Sequence, residues 1–216
     1  MDFATARRKM VDNQVRPNDV TDPRLVSALL DIPRERFAPA DWAAMAYMDN
    51  DLAIGDGRAL LKPMVLARLI QAADIKEADH VLDVACGTGY SSAVLARLAG
   101  SVTALEQVAR LATEAASLLG ELAATNATVV TGPLAAGWPQ NAPYDVILIN
   151  GAVEFVPETL LAQLKEDGCL LAILNQGPVG KAILCQRVAG DISTRPIFDA
   201  AAPTLKDFVK PPEFVF

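Results

Sequence analysis

Apolar positions divide the chain near residue 79. Before that point they recur at helical spacing between prolines. In TDPRLVSALLDIP, residues 21–33, Leu25, Val26, Leu29 and Leu30 share a face, Thr21 or Asp22 can cap, and Pro23 suits the first helical position. A second helix is predicted from Pro63, with Val65, Leu66, Leu69 and Ile70 inward. Between them AYMDNDLAIGDGRALLKP, residues 46–63, holds two glycines and three acids and reads as a loop.

After residue 79 strands and helices alternate. HVLDVA (80–85), SVTALE (101–106), ATVVTG (127–132), YDVILIN (144–150) and CLLAILN (169–175) read as strands. YSSAVLARLA (90–99), closed by Gly100, QVARLATEAASLLGELAA (107–124) and PETLLAQLKED (157–167), between Pro157 and Gly168, read as helices. Short, continuous apolar strands are buried on both faces. The fold class is therefore α/β: a doubly wound, Rossmann-like, mostly parallel sheet with helices on both faces. KAILCQRV and DISTRPIF alternate and are predicted as antiparallel C-terminal edge strands. Residues 1–78 form an N-terminal helical segment packed on the main unit, residues 79–216, as one compact body.

Composition narrows the function. Hydrophobic residues make up 52% of the 216 positions, and the net charge of -7 repels phosphate backbones and anionic membranes, so no nucleic acid and no membrane partner is expected. The longest apolar run, CLLAIL, is too short to span a bilayer, and a soluble cytoplasmic protein is expected. Cys86, Cys169 and Cys185 are odd in number and widely spaced, which fits buried small hydrophobes and no metal site. The aromatic tail, with Phe208, Phe214 and Phe216, is expected to dock on the body. No oligomeric state is specified.

The candidate chemistry lies at VLDVACGTGY, residues 81–90. Its strand-to-helix turn needs glycine for positive φ and for a ligand to approach the backbone. Glu106 ends the second strand 19 residues beyond Gly87, where a doubly wound fold places a carboxylate that accepts from ribose hydroxyls. A dinucleotide fingerprint wants a further glycine at Ser92, so NAD fits less well. Asp83, inside the first strand, can reach the cationic amino group of an amino-acid portion of the ligand. This acid and glycine turn resemble the first motif of S-adenosylmethionine-dependent methyltransferases, with Ala85 where glycine is commonest. His80, the one histidine, opens a strand and reads as packed, and GPVGK (177–181) reads as a turn. NGAVEF follows the fourth strand in place of the Asn-Pro-Pro-aromatic motif of nitrogen-directed enzymes, which points to an oxygen or carboxylate acceptor.

MVDNQVRP, IPRERFAP, AYMDNDLAIG, GWP at 137–139, APYDVILIN and VPETLLAQLKEDG, in that order from about residue 10 to about 175, resemble the protein-L-isoaspartate O-methyltransferase family. The resemblance implies methylation of the misplaced α-carboxylate of isoaspartyl residues in damaged protein or peptide. Its cofactor would be S-adenosylmethionine. It implies cofactor contacts at Asp83, Ala85, Cys86, Gly87, Thr88, Gly89, Tyr90, Glu106, Gln107, Gly132, Pro133 and Leu134, and a substrate side at Ile54, Gly55, Leu60, Leu61 and Lys62. A carboxylate with a pKa of about 4 is already ionised and needs no general base, so no catalytic residue is assigned.

The chain departs from the family at two positions. Leu61 stands where the family's Thr-Ile-Ser ends in serine, and Pro133 where an acid addresses the adenine amino group. A charged hydrogen bond contributes about 1.5–3 kcal/mol, so the missing hydroxyl corresponds to roughly 10- to 150-fold in turnover. Lys62 could pair with an incoming carboxylate instead. Three readings compete: a repair-type O-methyltransferase or a paralogue for another carboxylate, a silent relative that binds the cofactor or its demethylated product, and a nicotinamide-dependent oxidoreductase.

Overall fold

The computed structural model describes residues 2–177 and 179–210. Helix α1 (Phe3–Met10) starts behind Asp2, whose carboxylate accepts from the amides of Ala4 and Thr5. Helix α2 (Pro23–Asp31) follows the expected caps: Asp22 accepts from the Arg24 amide at 2.8 Å and Pro23 is the first helical residue. Its buried face is Leu25, Val26, Ala28 and Leu29.

The segment predicted as a featureless loop holds a hairpin, β1 (Leu52–Gly55) and β2 (Arg58–Leu60), antiparallel about a Gly-Asp-Gly tip. Leu52, Ile54 and Leu60 face inward at period two, a signal too short to stand out in the sequence. The Asp51 carboxylate accepts from the Lys62 amide at 2.8 Å and closes the hairpin's base. Helix α3 (Pro63–Ala72) then runs as predicted.

The main sheet is formed by β3 (His80–Val84), β4 (Ser101–Glu106), β5 (Ala127–Thr131), β6 (Tyr144–Val153), β7 (Leu164–Leu174), β8 (Lys181–Val188) and β9 (Asp191–Asp199). Its order is β5-β4-β3-β6-β7-β8-β9, parallel through β7 and antiparallel at β8 and β9. The order reverses between β3 and β6, which opens the ends of those strands for a ligand. Along β3, Val81 packs into a core shared with α1–α3, while Leu82 and Val84 enter a second core with Tyr144, Leu164 and Phe208. Both faces of the sheet are thus covered.

Helices α4 (Tyr90–Leu95) and α5 (Ala109–Glu121) link β3 to β4 and β4 to β5. Both are shorter than predicted. Beyond Leu95 the amides of Arg97 and Leu98 turn to acceptors three residues back, which brings the Gly100 amide onto the Asp79 carbonyl at 3.0 Å.

The largest departure is at 157–167. Only α6 (Glu158–Leu161) is α-helical, and β7 begins at Leu164 because Tyr144 pairs with Leu164 and its amide donates to the Gln163 carbonyl at 2.8 Å. Of LKED only Leu164 pairs with β6, the next partner being Cys169, and Asp167 turns left-handed at φ 64°, which a continuing helix does not allow. Leu205 covers Gly151, and the Phe208 carbonyl accepts from the Glu154 amide at 3.0 Å, so the tail docks beside β6 as far as Phe208. Phe214 and Phe216 lie outside the described residues. GPVGK leads from β7 into β8, whose first residue is its Lys181, with Pro178 outside the described residues.

Candidate active site

The turn after β3 is built by its glycines and anchored from the N-terminal segment. Gly87 and Gly89 hold φ of 58° and 93°. A Cβ at Gly89 would stand 3.1 Å from that of Ala115, so α5 packs directly on the turn. Ala85 is also left-handed, at φ 59°, a conformation costing a residue with a Cβ about 1–2 kcal/mol. The Thr88 hydroxyl donates to the Phe37 carbonyl at 2.7 Å, and the Phe37 ring meets Tyr90 edge-on at 5.5 Å. Cys86 is buried, and its thiol pKa is pushed well up by burial. All three cysteines are free and buried.

Asp83 is fully buried. One carboxylate oxygen accepts from Ser91 Oγ at 2.7 Å and Ser92 Oγ at 2.5 Å, and the other from Asn150 Nδ2. The side chain therefore points into the protein and is engaged by three donors. Ser92, read in the sequence only as a break in a fingerprint, is one of them.

Burial pushes the Asp83 pKa up to about 6, the two serines and Asn150 pulling against that rise. A carboxyl whose folded pKa is raised stabilises fully below its unfolded value, and that contribution is lost as pH rises through about 6. The shift from 3.8 corresponds to about 3 kcal/mol. Between pH 7 and pH 3, wild type should gain about that much unfolding free energy relative to Asp83→Asn. Urea titrations at several pH values measure it; a pH-independent difference would mean that Asp83 is solvated.

Glu106 ends β4 with no exposed surface. It accepts from the amides of Gly87 at 3.0 Å, Gln107 at 2.8 Å and Val108 at 3.0 Å. A fourth partner comes from β2. Arg58, 6% exposed, donates Nε to both carboxylate oxygens at 3.2 Å and brings Nη2 to 3.1 Å. The Gln107 side chain accepts from the Leu134 amide at 3.3 Å, tying this corner to Gly132, Pro133 and Leu134, with Trp138 against Gly132.

Leu60 and Leu61 are buried and Lys62 is half-buried. Arg34, fully buried, donates to the carbonyls of Ala46 at 2.6 Å and Leu61 at 2.7 Å and lies over the Tyr90 ring at 4.7 Å. Sequence reasoning singled out neither Arg34 nor Arg58. The only local trace of Arg34 was IPRERF; Arg58 had none. The His80 ring packs against Tyr144 at 4.8 Å, tilted by 52°, at the opening end of β3, about 13 Å of strand away from the turn.

In this conformation the hairpin closes over the glycine turn and leaves little space beside it. Ile54 Cδ1 lies 2.6 Å from where a Gly87 Cβ would stand, and Arg58 Cβ 4.0 Å, so hairpin side chains cover the open face of that glycine. The cavity between Leu60, Leu61, Cys86, Tyr90, Ser91 and Asn150 measures about 10 Å³. That is room for barely one water, whereas a cofactor pocket needs roughly 300 Å³ or more.

A doubly wound sheet with a glycine turn after β3 and a carboxylate ending the neighbouring β4 defines a Rossmann-like fold of the kind that binds a nucleoside cofactor. The family model for protein-L-isoaspartate(D-aspartate) O-methyltransferase matches residues 5–196, and the chain belongs to that family of methyltransferases. Protein-L-isoaspartate O-methyltransferase 1 of Rhodopseudomonas palustris is 37% identical over 186 residues, 86% of this chain and 74% of the relative. A solved protein-L-isoaspartate O-methyltransferase superposes with TM-score 0.80 at 26% identity, covering 92% of this chain, which spans 65% of that structure's length. A Plasmodium falciparum chain solved in complex with S-adenosyl-L-homocysteine superposes with TM-score 0.79 at 17% identity, over 96% of this chain and 99% of its own, and shares the fold. Among the described residues no helix is long and apolar enough to cross a membrane, and no three His, Cys, Asp or Glu side chains cluster as a metal site.

Proposed function

We propose that this chain is an S-adenosylmethionine-dependent O-methyltransferase that esterifies the misplaced carboxylate of isoaspartyl residues in damaged protein. The observation that carries the reading is the family match over residues 5–196, joined to a site with no free base. His80 is at the wrong end of β3, Asp83 is sealed by three donors, and Glu106 is paired with Arg58. An acceptor already ionised at neutral pH requires none of them. The site residues for the cofactor are those of the turn, the Glu106–Gln107 corner and residues 132–134. For the acceptor they are Ile54, Gly55 and residues 60–62, with Lys62 as the nearby cation. Three free, buried cysteines suit a reducing cytoplasm.

Labelled-methyl transfer to an isoaspartyl peptide beside its aspartyl twin tests the reading. Label is expected on the isoaspartyl peptide alone, as a base-labile ester, at a turnover roughly 10- to 150-fold below that of a serine-bearing relative. Label on neither peptide, with the cofactor bound, would assign the chain to relatives silent toward this substrate, a reading that the burial of Leu61 favours.

A further inference from the structure

The β1–β2 hairpin belongs to no larger sheet, and two-stranded hairpins are marginal alone, so its position depends on docking. Three contacts fasten it to the cofactor groove. Arg58 forms the buried ion pair with Glu106. Ile54 seats its side chain on the open face of Gly87. At the exposed tip, Asp56 pairs with Arg110 of α5 at 2.8 Å, and the same guanidinium donates to the Ile54 carbonyl at 3.4 Å.

The acid that a ribose would engage is therefore already bound by a cation of the chain itself, and the glycine that lets a ligand approach the backbone is covered. We infer that the hairpin is a latch over the cofactor groove, with Arg58 and Ile54 setting cofactor access by competing for Glu106 and Gly87. The inference deepens the functional reading above and rests on it for the identity of the ligand.

A ligand that binds only the open form sees its affinity reduced by the open fraction. Weakening the latch raises that fraction. Removing Arg58 frees Glu106, whose three backbone donors remain to hold it in place. A structural role alone would make every such substitution neutral or harmful to binding, whereas a latch makes binding improve.

The test is calorimetric titration of the full chain with S-adenosylhomocysteine. Arg58→Gln is expected to bind about tenfold more tightly than wild type or better. Ile54→Ala, which thins the plug and leaves the ion pair in place, is expected to bind severalfold more tightly. Asp56→Asn lies on the surface and does not endanger folding; it should gain about two- to fivefold at low salt, and less at high salt where the tip pair is already screened. Affinities equal to or below wild type in Ile54→Ala and Asp56→Asn overturn the latch whether or not Arg58→Gln folds. Tighter binding with no methyl on the isoaspartyl peptide leaves the latch standing and removes the substrate reading. Methyl transfer by wild type with no gain in any variant does the reverse.

Discussion

Glu106→Ala is expected to lower the unfolding free energy by about 3–5 kcal/mol, because it strands the buried Arg58 guanidinium without its counter-ion. The amides of Gly87, Gln107 and Val108 lose their acceptor in the same step. For a chain of this length the melting temperature should fall by roughly 6–20 °C. The carboxylate thus has a structural duty that its position at the end of β4 did not announce, and a binding assay on this variant must first establish that it is folded. A second substitution separates charge from hydrogen bonding. Glu106→Gln keeps an acceptor for the backbone but leaves Arg58 facing a neutral amide, and adding Arg58→Met should recover most of the lost stability. A loss below 1 kcal/mol for Glu106→Ala in urea unfolding would show that the ion pair does not form.

Leu61→Ser restores the family's hydroxyl and is expected to cost about 3–5 kcal/mol. Leu61 is 2% exposed, packed against the small cavity beside Tyr90 and Asn150, and its carbonyl is held by Arg34. Truncating a buried leucine costs about 2–5 kcal/mol, and a hydroxyl lacking a partner adds to that. The substitution is therefore a test of two quantities. Denaturant midpoints give the packing loss, and transfer rates at a temperature where the variant is folded give the value of the hydroxyl. Wild-type stability in Leu61→Ser would contradict the burial of this side chain, since a leucine at the surface has little to lose.

Much of the architecture is legible in the chain because it is local. Pro23 behind Asp22, the run from Pro63, and the apolar strands ending in Asp83–Val84 and Glu106 each follow from periodicity and capping within a dozen residues. The errors share a cause as well. Leu164 leaves the predicted helix because Tyr144 draws it into pairing, and LAIGDGRAL makes a hairpin whose three inward residues are too few to register as a period. Neither partner can be inferred from the segment itself.

The site divides along the same line. Sequence alone determined the strand order along the chain from β3 onward, the glycine turn after β3 and the place of Glu106 at the end of β4, since strand period and turn chemistry act between neighbours. Only the tertiary structure decided what those groups meet: Arg58 comes to Glu106 across 48 residues, and Asn150 to Asp83 across 67. A buried charge takes whichever partner the packed fold brings within reach, and no rule of local spacing links residues so far apart.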